Sequence, residues 1–250
     1  MPEFDAHEYH GTCRVCGWSG RFVRDHRSMR ETYACGNCRA TLRYRVQAEA
    51  ILAHFAGRGA ATFRELAADP VFSSLRIFEP GVIGPFRRFL KPLPGYSMSF
   101  FWEDLKSGEM RDGVANEDLM DLSIPTASVD LMISSDIFEH IRHPDRGFAE
   151  VARILRPGGL HVFTVPTHVP MRESTTRRVD VSGAEDIHVL PEAYHGNGKG
   201  GRSLVYNDFG RDILDMQATA GLQASIHQHA VTERIVCHAV AFVAVKPAGA

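Results

Sequence analysis

Val129-Asp130-Leu131-Met132-Ile133-Ser134-Ser135-Asp136-Ile137-Phe138-Glu139-His140 is the stretch on which the fold turns. Its centre is apolar at consecutive positions, not alternating ones, so residues 128–135 form a strand buried on both faces, as in the middle of a parallel sheet. The next segment follows the helical period instead. Pro144 suits a first turn, and Phe148, Val151, Ala152 and Leu155 recur at i, i+3, i+4 and i+7. Pro157-Gly158-Gly159 stops that helix, and residues 160–165 form another strand, ending at Pro166.

The same alternation extends outward. Residues 75–79 make a short strand running into the turn Glu79-Pro80-Gly81-Val82-Ile83-Gly84; residues 86–90 begin a helix and residues 96–101 a second strand. Toward the C-terminus, residues 207–220 have a helical stripe in Phe209, Ile213, Met216 and Ala220. Two strands follow, residues 223–229 and 235–245, the second holding Cys237 as a buried core residue. Residues 195–201, His-Gly-Asn-Gly-Lys-Gly-Gly, read as a mobile loop. Strands alternating with helices imply a mainly parallel, doubly wound α/β sheet.

Before that domain stand two cysteine knuckles, Cys13-Arg-Val-Cys16 and Cys35-Gly-Asn-Cys38, with residues 17–34 between them. Each knuckle turns two thiolates toward one ion, and a spacer of roughly 15 to 20 residues suffices for a β-hairpin that joins the knuckles. Four sulfur ligands leave no open position, so the expected Zn2+ is structural. The organisation is then a zinc ribbon over residues 1–45, a helical linker over 46–70 containing most of the helix 43–55, and an α/β domain over 71–250.

With 44% hydrophobic and 23% charged residues the chain can build a core. No apolar run approaches the roughly 20 residues that span a bilayer, and Met1-Pro2-Glu3-Phe4-Asp5 lacks a signal-peptide pattern. A cytoplasmic protein without membrane contact is expected. A formal net charge of -2 gives no general reason to expect a nucleic-acid partner. The exception is local: Arg14, Arg21, Arg24, Arg27, Arg30, Arg39, Arg43, Arg45 and Arg58 face only Asp25, Glu31 and Glu49 in their segment, either as a solvated basic face or as a grip on an anion.

The stretch from Val129 to Ile141, with Glu150-Val-Ala-Arg-Ile-Leu-Arg156-Pro-Gly-Gly159 and Phe163-Thr-Val-Pro166, resembles the fourth strand, fourth helix and fifth strand of class I S-adenosylmethionine-dependent methyltransferases. The resemblance implies a seven-stranded sheet whose last strand is antiparallel, with the cofactor over the carboxyl ends of the first, second and fourth strands. Ligands of open α/β sheets bind at that edge. It assigns Gly81 and Gly84 to the turn beneath the cofactor, where a side chain would collide, and Glu79 to its methionine end. Asp136 joins them after the fourth strand. The turn lacks the family's usual third glycine. At the end of the second strand, where the family places a ribose-binding acid, stand Ser99, Phe100 and Phe101, so Glu103, slightly later, takes that role; the alternative is a surface carboxylate. The resemblance makes Asp118, with Leu119 beside it, the acceptor for the adenine amine.

Methyl transfer depends mainly on positioning, but an oxygen acceptor also needs its proton removed. His140, His168, His188 and His195 follow strands or lie in loops at the active edge. The choice falls on His195, within Glu192-Ala-Tyr-His195-Gly196, then His168, then His140, whose alternative role is to cap the fourth helix. The segments His188–Asn197 and Ser203–Gly210 look like an insert of methyltransferases from bacterial glycan and secondary-metabolite pathways, implying a sugar or glycoconjugate hydroxyl as acceptor; a lid that only excludes water is the alternative. The expected function is O-methylation of a small molecule or glycan. Its alternatives are a degenerate methyltransferase-like binding module and an RNA methyltransferase whose ribbon grips substrate. The sequence leaves the oligomeric state open.

Overall fold

The computed structural model describes residues 7–228 and 239–249. Cys237 and the start of the expected last strand lie outside the described residues. The chain divides into two compact units, Met1–Leu75 with Gly84–Tyr96 and Ile226–Val243, and Arg76–Ile83 with Ser97–Ser225 and Ala244–Ala250.

In the first unit, β1 (Glu8–Thr12) and β2 (Ser19–Val23) form an antiparallel hairpin. The hairpin does not lie within the spacer between the knuckles, as expected from its length; the first knuckle is its turn. Cys13 N donates to Trp18 O at 2.8 Å and Gly17 N to Cys13 O at 2.8 Å, closing the knuckle where the strands meet. Helix α1 (Leu42–His54) is buried along most of its length, including Arg45. The Arg45 guanidinium lies over Phe22, 4.2 Å from the ring centre, and 5.5 Å from that of Tyr9, so a cation sealed in the interior finds aromatic faces instead of water. Short helices α2 (Phe63–Ala67) and α3 (Pro70–Ser73) are N-capped by Thr62 and Asp69 side chains. Phe63 N and Arg64 N donate to Arg14 O and Val15 O, at 2.8 and 2.9 Å, tying α2 to the first knuckle. One-turn helix α4 (Arg87–Leu90) follows Phe86, which packs on Phe63 with centroids 4.7 Å apart.

The second unit carries β3 (Ile77–Pro80), β4 (Tyr96–Phe100) after its first residue, β5 (Met110–Arg111), β6 (Val114–Asn116) and β7 (Val129–Ser135). Every residue of β7 but the last is buried. Helix α5 (Pro144–Ile154) leads into β8 (Leu155–Thr164). Two-stranded pieces follow: β9 (Thr176–Arg177), β10 (Val179–Asp180), β11 (Ile187–His188), β12 (Tyr194–Gly196), β13 (Arg202–Leu204) and β14 (Asn207–Asp208). Helix α6 (Ile213–Thr219), β15 (Gln223–Gln228) and β16 (Val240–Val245) complete the described chain.

The sheet order is β15-β16-β8-β7-β3-β4-β6-β5. The pairs β3·β7, β7·β8 and β4·β6 are parallel, so the mainly parallel sheet with helices is the class I methyltransferase fold. Among the described residues the sheet has eight strands where seven were expected, because Asp112 (φ 52°) and Gly113 (φ 73°) make the tight turn of a β5·β6 hairpin that extends the edge.

Two element boundaries also differ. Residues 207–212 are not helical. Asn207 and Asp208 pair with Arg177 and Thr176, and the Asp212 carboxylate takes the Thr175 amide at 2.8 Å and its hydroxyl at 2.7 Å, so α6 begins only at Ile213. Pro157-Gly158-Gly159 belongs to β8, because Gly158 N donates to Lys246 O and Lys246 N to Gly159 O, at 2.8 and 2.9 Å. At the opposite end of β7 from the candidate site, the buried Asp130 accepts the Arg76 amide at 2.6 Å and pairs with Arg156.

Candidate functional site

At the carboxyl end of β3 the chain turns through Gly81, whose φ of 97° excludes an unstrained side chain. Its amide donates to Ser99 O at 2.9 Å, and a Cβ there would meet Ile137 Cδ1 at 3.6 Å, so the turn lies against the loop that follows β7. Gly84 also has a positive φ, 139°. Glu79 is 4% exposed at the end of β3. Asp136 sits in the left-handed region at φ 53°, with its amide on Thr164 O and its Oδ1 accepting the Thr164 hydroxyl, both at 2.9 Å. Glu79, Gly81 and Asp136 thus lie at the carboxyl ends of two paired parallel strands, β3 and β7.

Past β4 the residues are aromatic. Phe100 and Trp102 have ring centres 4.8 Å apart, and Phe101 is exposed. Lys199 Nζ, from the β12–β13 loop, lies 4.4 Å from the Trp102 ring centre and 5.4 Å from that of Phe100. The loop itself is built on Asn197, whose Oδ1 accepts the Lys199 and Gly201 amides at 3.0 and 2.9 Å. Glu103 is exposed. Asp118 turns Oδ1 onto the Met120 amide at 2.8 Å, and Leu119 is buried.

The histidines separate sharply. Phe138–His140 is a single 3-10 turn after β7, and His140 does not cap α5; His143 holds the N-cap position. Instead, His140 Nδ1 lies 2.7 Å from Leu204 O, and its Nε2 lies 3.3 Å from His195 Nδ1. His195, from β12, is brought across by the β12·β13 pairing. Between them lies Glu139, 1% exposed, with Oε1 3.4 Å from His195 Nδ1 and 3.6 Å from His140 Nε2. The Tyr206 amide holds the Glu139 carbonyl at 2.8 Å. Two sequence-selected histidines therefore converge, joined by a glutamate that sequence reasoning quoted only as part of the β7 motif. The adjacency Glu139-His140 was the available signal. His168 is exposed and outside this cluster, and His188 pairs with Glu192 at 3.5 Å.

The four ribbon cysteines converge as well, all ligand atoms within 4.8 Å of one another. Cys13 and Cys38 sulfurs are 3.7 Å apart, Cys16 and Cys35 sulfurs 3.6 Å. These exceed any S–S bond and match the edges, about 3.8 Å, of a tetrahedron with metal–sulfur distances of about 2.3 Å. The Asn37 amide and Nδ2 face the sulfurs of Cys35 and Cys16, at 3.4 and 3.5 Å. Hydrogen bonding from Cys38 pulls the Cys13 thiol down to about 5.

Residues 100–163 match the family described as Methyltransferase domain. No curated protein matches the chain. Among solved structures, an S-adenosylmethionine-dependent methyltransferase from Mesorhizobium loti is 22% identical, over 75% of this chain and 97% of its own, with a TM-score of 0.44. The CcbJ methyltransferase from Streptomyces caelestis is 17% identical over 74% and 94%, TM-score 0.45. A Haloferax volcanii complex of the Trm112 methyltransferase activator with a methyltransferase is similar at 18% over 80% and 94%, TM-score 0.47. The matched segment, 64 of the 250 residues, runs from the end of β4 through β7 and α5 into β8, the middle of the class I methyltransferase fold that this sheet has.

Proposed function

We propose that the enzyme methylates an oxygen of a small hydroxyl-bearing molecule or glycan. The observation that carries this is the Glu139-His140-His195 cluster beside the Gly81 turn. The cofactor supplies an electrophilic methyl group, so an amine or thiolate acceptor needs little more than alignment, whereas a hydroxyl needs help to lose its proton. A carboxylate and two imidazoles at the carboxyl edge of β7 are the groups for that task. His195, 43% exposed, is the member the acceptor reaches first.

The residues fit the cofactor. A buried carboxylate at Glu79 suits an ammonium group, the missing Cβ at Gly81 leaves room for a chain passing over the turn, and Asp136 is held beside it by Thr164. On the nucleoside side, Glu103 is the proposed ribose acceptor, with Asp118 Oδ2 and the Leu119 amide at the adenine. Gly84 completes the turn. His168, exposed on the following loop, is the second choice for a proton acceptor. Cys13, Cys16, Cys35 and Cys38 hold a structural Zn2+, which fits their spacing. No described helix is long and apolar enough to cross a membrane.

The RNA reading loses ground because ribbon arginines are engaged inside their own unit. Arg45 is buried, and Arg30 and Arg43, 12% and 13% exposed, both pair with Glu31, at 3.6 and 2.7 Å. Phosphate binding draws on arginines held in solvent.

Calorimetry with S-adenosylmethionine and S-adenosylhomocysteine is the first test, followed by a screen of hydroxyl-bearing acceptors with radiolabelled methyl donor. Micromolar cofactor binding is expected, and His195→Ala should cut transfer about 100-fold with cofactor affinity unchanged. No detectable heat would favour a degenerate binding module, and an unchanged rate would remove His195.

A further inference from the structure

We propose that Glu139, His140 and His195 form a binding site for a divalent first-row transition-metal ion, separate from the cysteine ribbon. The inference rests on the oxygen-acceptor reading and sharpens it: the cluster activates the acceptor by holding a cation, with His195 as a ligand.

Three geometric facts carry it. First, the three potential ligand atoms stand 3.3, 3.4 and 3.6 Å apart: His140 Nε2 to His195 Nδ1, His195 Nδ1 to Glu139 Oε1, and Glu139 Oε1 to His140 Nε2. Ligands at about 2.1 Å in a tetrahedron are separated by about 3.4 Å, so one ion can touch all three. Second, Glu139 is 1% exposed, and neither carboxylate oxygen has a hydrogen-bond partner. Buried carboxylates are ordinarily satisfied several times over, so this one lacks a partner of the kind a cation supplies. Third, His140 Nδ1 is 2.7 Å from Leu204 O, which fixes the proton on Nδ1 and turns the Nε2 lone pair inward. A backbone carbonyl on the far nitrogen is the usual support of a metal-bound histidine.

The chemistry of the donor set narrows the ion. Two imidazoles and one carboxylate, with no thiolate, suit Mn2+, Fe2+, Co2+ or Zn2+, and three protein ligands leave positions open. His195, 43% exposed, is the solvent-facing wall of the cluster, so an acceptor would enter from that side. An acceptor hydroxyl bound there releases its proton to water. Its oxygen lone pair then forms the new O–CH3 bond as the C–S bond of the methyl donor breaks, and that electron pair returns to sulfur to leave the neutral thioether.

The test uses the full chain saturated with one equivalent of Zn2+, so that the thiolates are filled, then titrated with Mn2+ and followed by the loss of the free-ion electron paramagnetic resonance signal. One further equivalent should bind, and both Glu139→Gln and His195→Ala should weaken it tenfold or more, while His10→Ala on the ribbon hairpin leaves it unchanged. If Glu139→Gln does not fold, the half-exposed His195→Ala carries the comparison. Absence of Mn2+ binding up to millimolar concentration, or binding equal in wild type and both variants, overturns the proposal. Calorimetry with S-adenosylhomocysteine on the same samples separates the two readings. Cofactor binding without Mn2+ binding removes the metal site alone; Mn2+ binding without cofactor binding removes the methyl-transfer reading and leaves the metal site standing.

Discussion

His140 Nδ1 meets the carbonyl oxygen of Leu204 at 2.7 Å, so a strand of the insert decides which imidazole nitrogen faces Glu139. Two substitutions separate support of the insert from chemistry at the cluster. His140→Phe removes the donor and leaves a partly buried carbonyl unsatisfied, at a cost of about 1–3 kcal/mol. His140→Asn keeps an N–H near the carbonyl but has no second nitrogen. Thermal unfolding should show His140→Phe as the less stable, and methyl transfer should fall about 100-fold in both.

Gly81 bears φ 97° and its amide is held by Ser99 O. Gly81→Ala forces a side chain into the left-handed region, at about 1–2 kcal/mol, and points its methyl group toward Ile137. Cofactor affinity measured by calorimetry should drop at least tenfold with a modest fall in melting temperature. An unchanged affinity would place the cofactor elsewhere.

The ribbon should be worth stability and not turnover. Its sulfurs are spaced for one ion, and β1 and β2 carry the Tyr9 and Phe22 rings that cover the buried guanidinium of Arg45 on α1. Mass spectrometry should find one Zn2+ in the cysteine cluster. Cys16→Ser should lower the unfolding free energy by several kcal/mol, because ion binding contributes directly to folding and its loss uncovers Arg45.

The central strand was legible because burial on both faces removes the two-residue alternation, and β7 is buried just where its apolar run lies. The cysteine pairs were legible because two Cys-x-x-Cys knuckles form a distinctive spacing, and their four sulfurs do come within 4.8 Å of one another. The β5·β6 hairpin was missed, although Asp112-Gly113 is a strong turn dipeptide, because strands of two and three residues carry no period. Periodicity misled at residues 207–212, where Phe209 continues a helical stripe by chance while Asp212 is spent on Thr175. The site was half legible. Sequence places His140 and His195 near the active edge, but that they meet depends on a β12·β13 pairing and on the Leu204 carbonyl, both long-range. Glu139 escaped notice because an acid after a strand is commonplace; its burial without a hydrogen-bond partner is visible only in three dimensions.

Lys199 spans the aromatic pair past β4, with Nζ 4.4 Å from the Trp102 ring centre. A cation–π contact at an exposed site is worth about 0.5–1 kcal/mol, enough to bias the loop and too little to lock it. Lys199→Ala should alter Trp102 emission and change cofactor affinity by less than about fivefold. Trp18→Phe as a background leaves Trp102 as the sole tryptophan, so the emission reports the loop directly.

His161 supplies a pH signature independent of catalysis. It is wholly buried on β8, with Nε2 2.9 Å from Ser134 Oγ and its ring stacked 4.6 Å from that of Phe163. Burial away from water holds it down to about 3, against an ordinary value of 6.5. The sign follows from proton counting. Between those two values the unfolded chain takes up a proton that the folded chain refuses, so stability is fully present above about 6.5 and falls as the pH drops toward 3. The slope from this one group approaches about 1.4 kcal/mol per pH unit. His161→Gln, which can still reach Ser134, should flatten the acid limb of urea-unfolding free energy against pH by about that slope, even if it lowers stability at neutral pH. Parallel curves for wild type and variant would show that another group governs the acid limb.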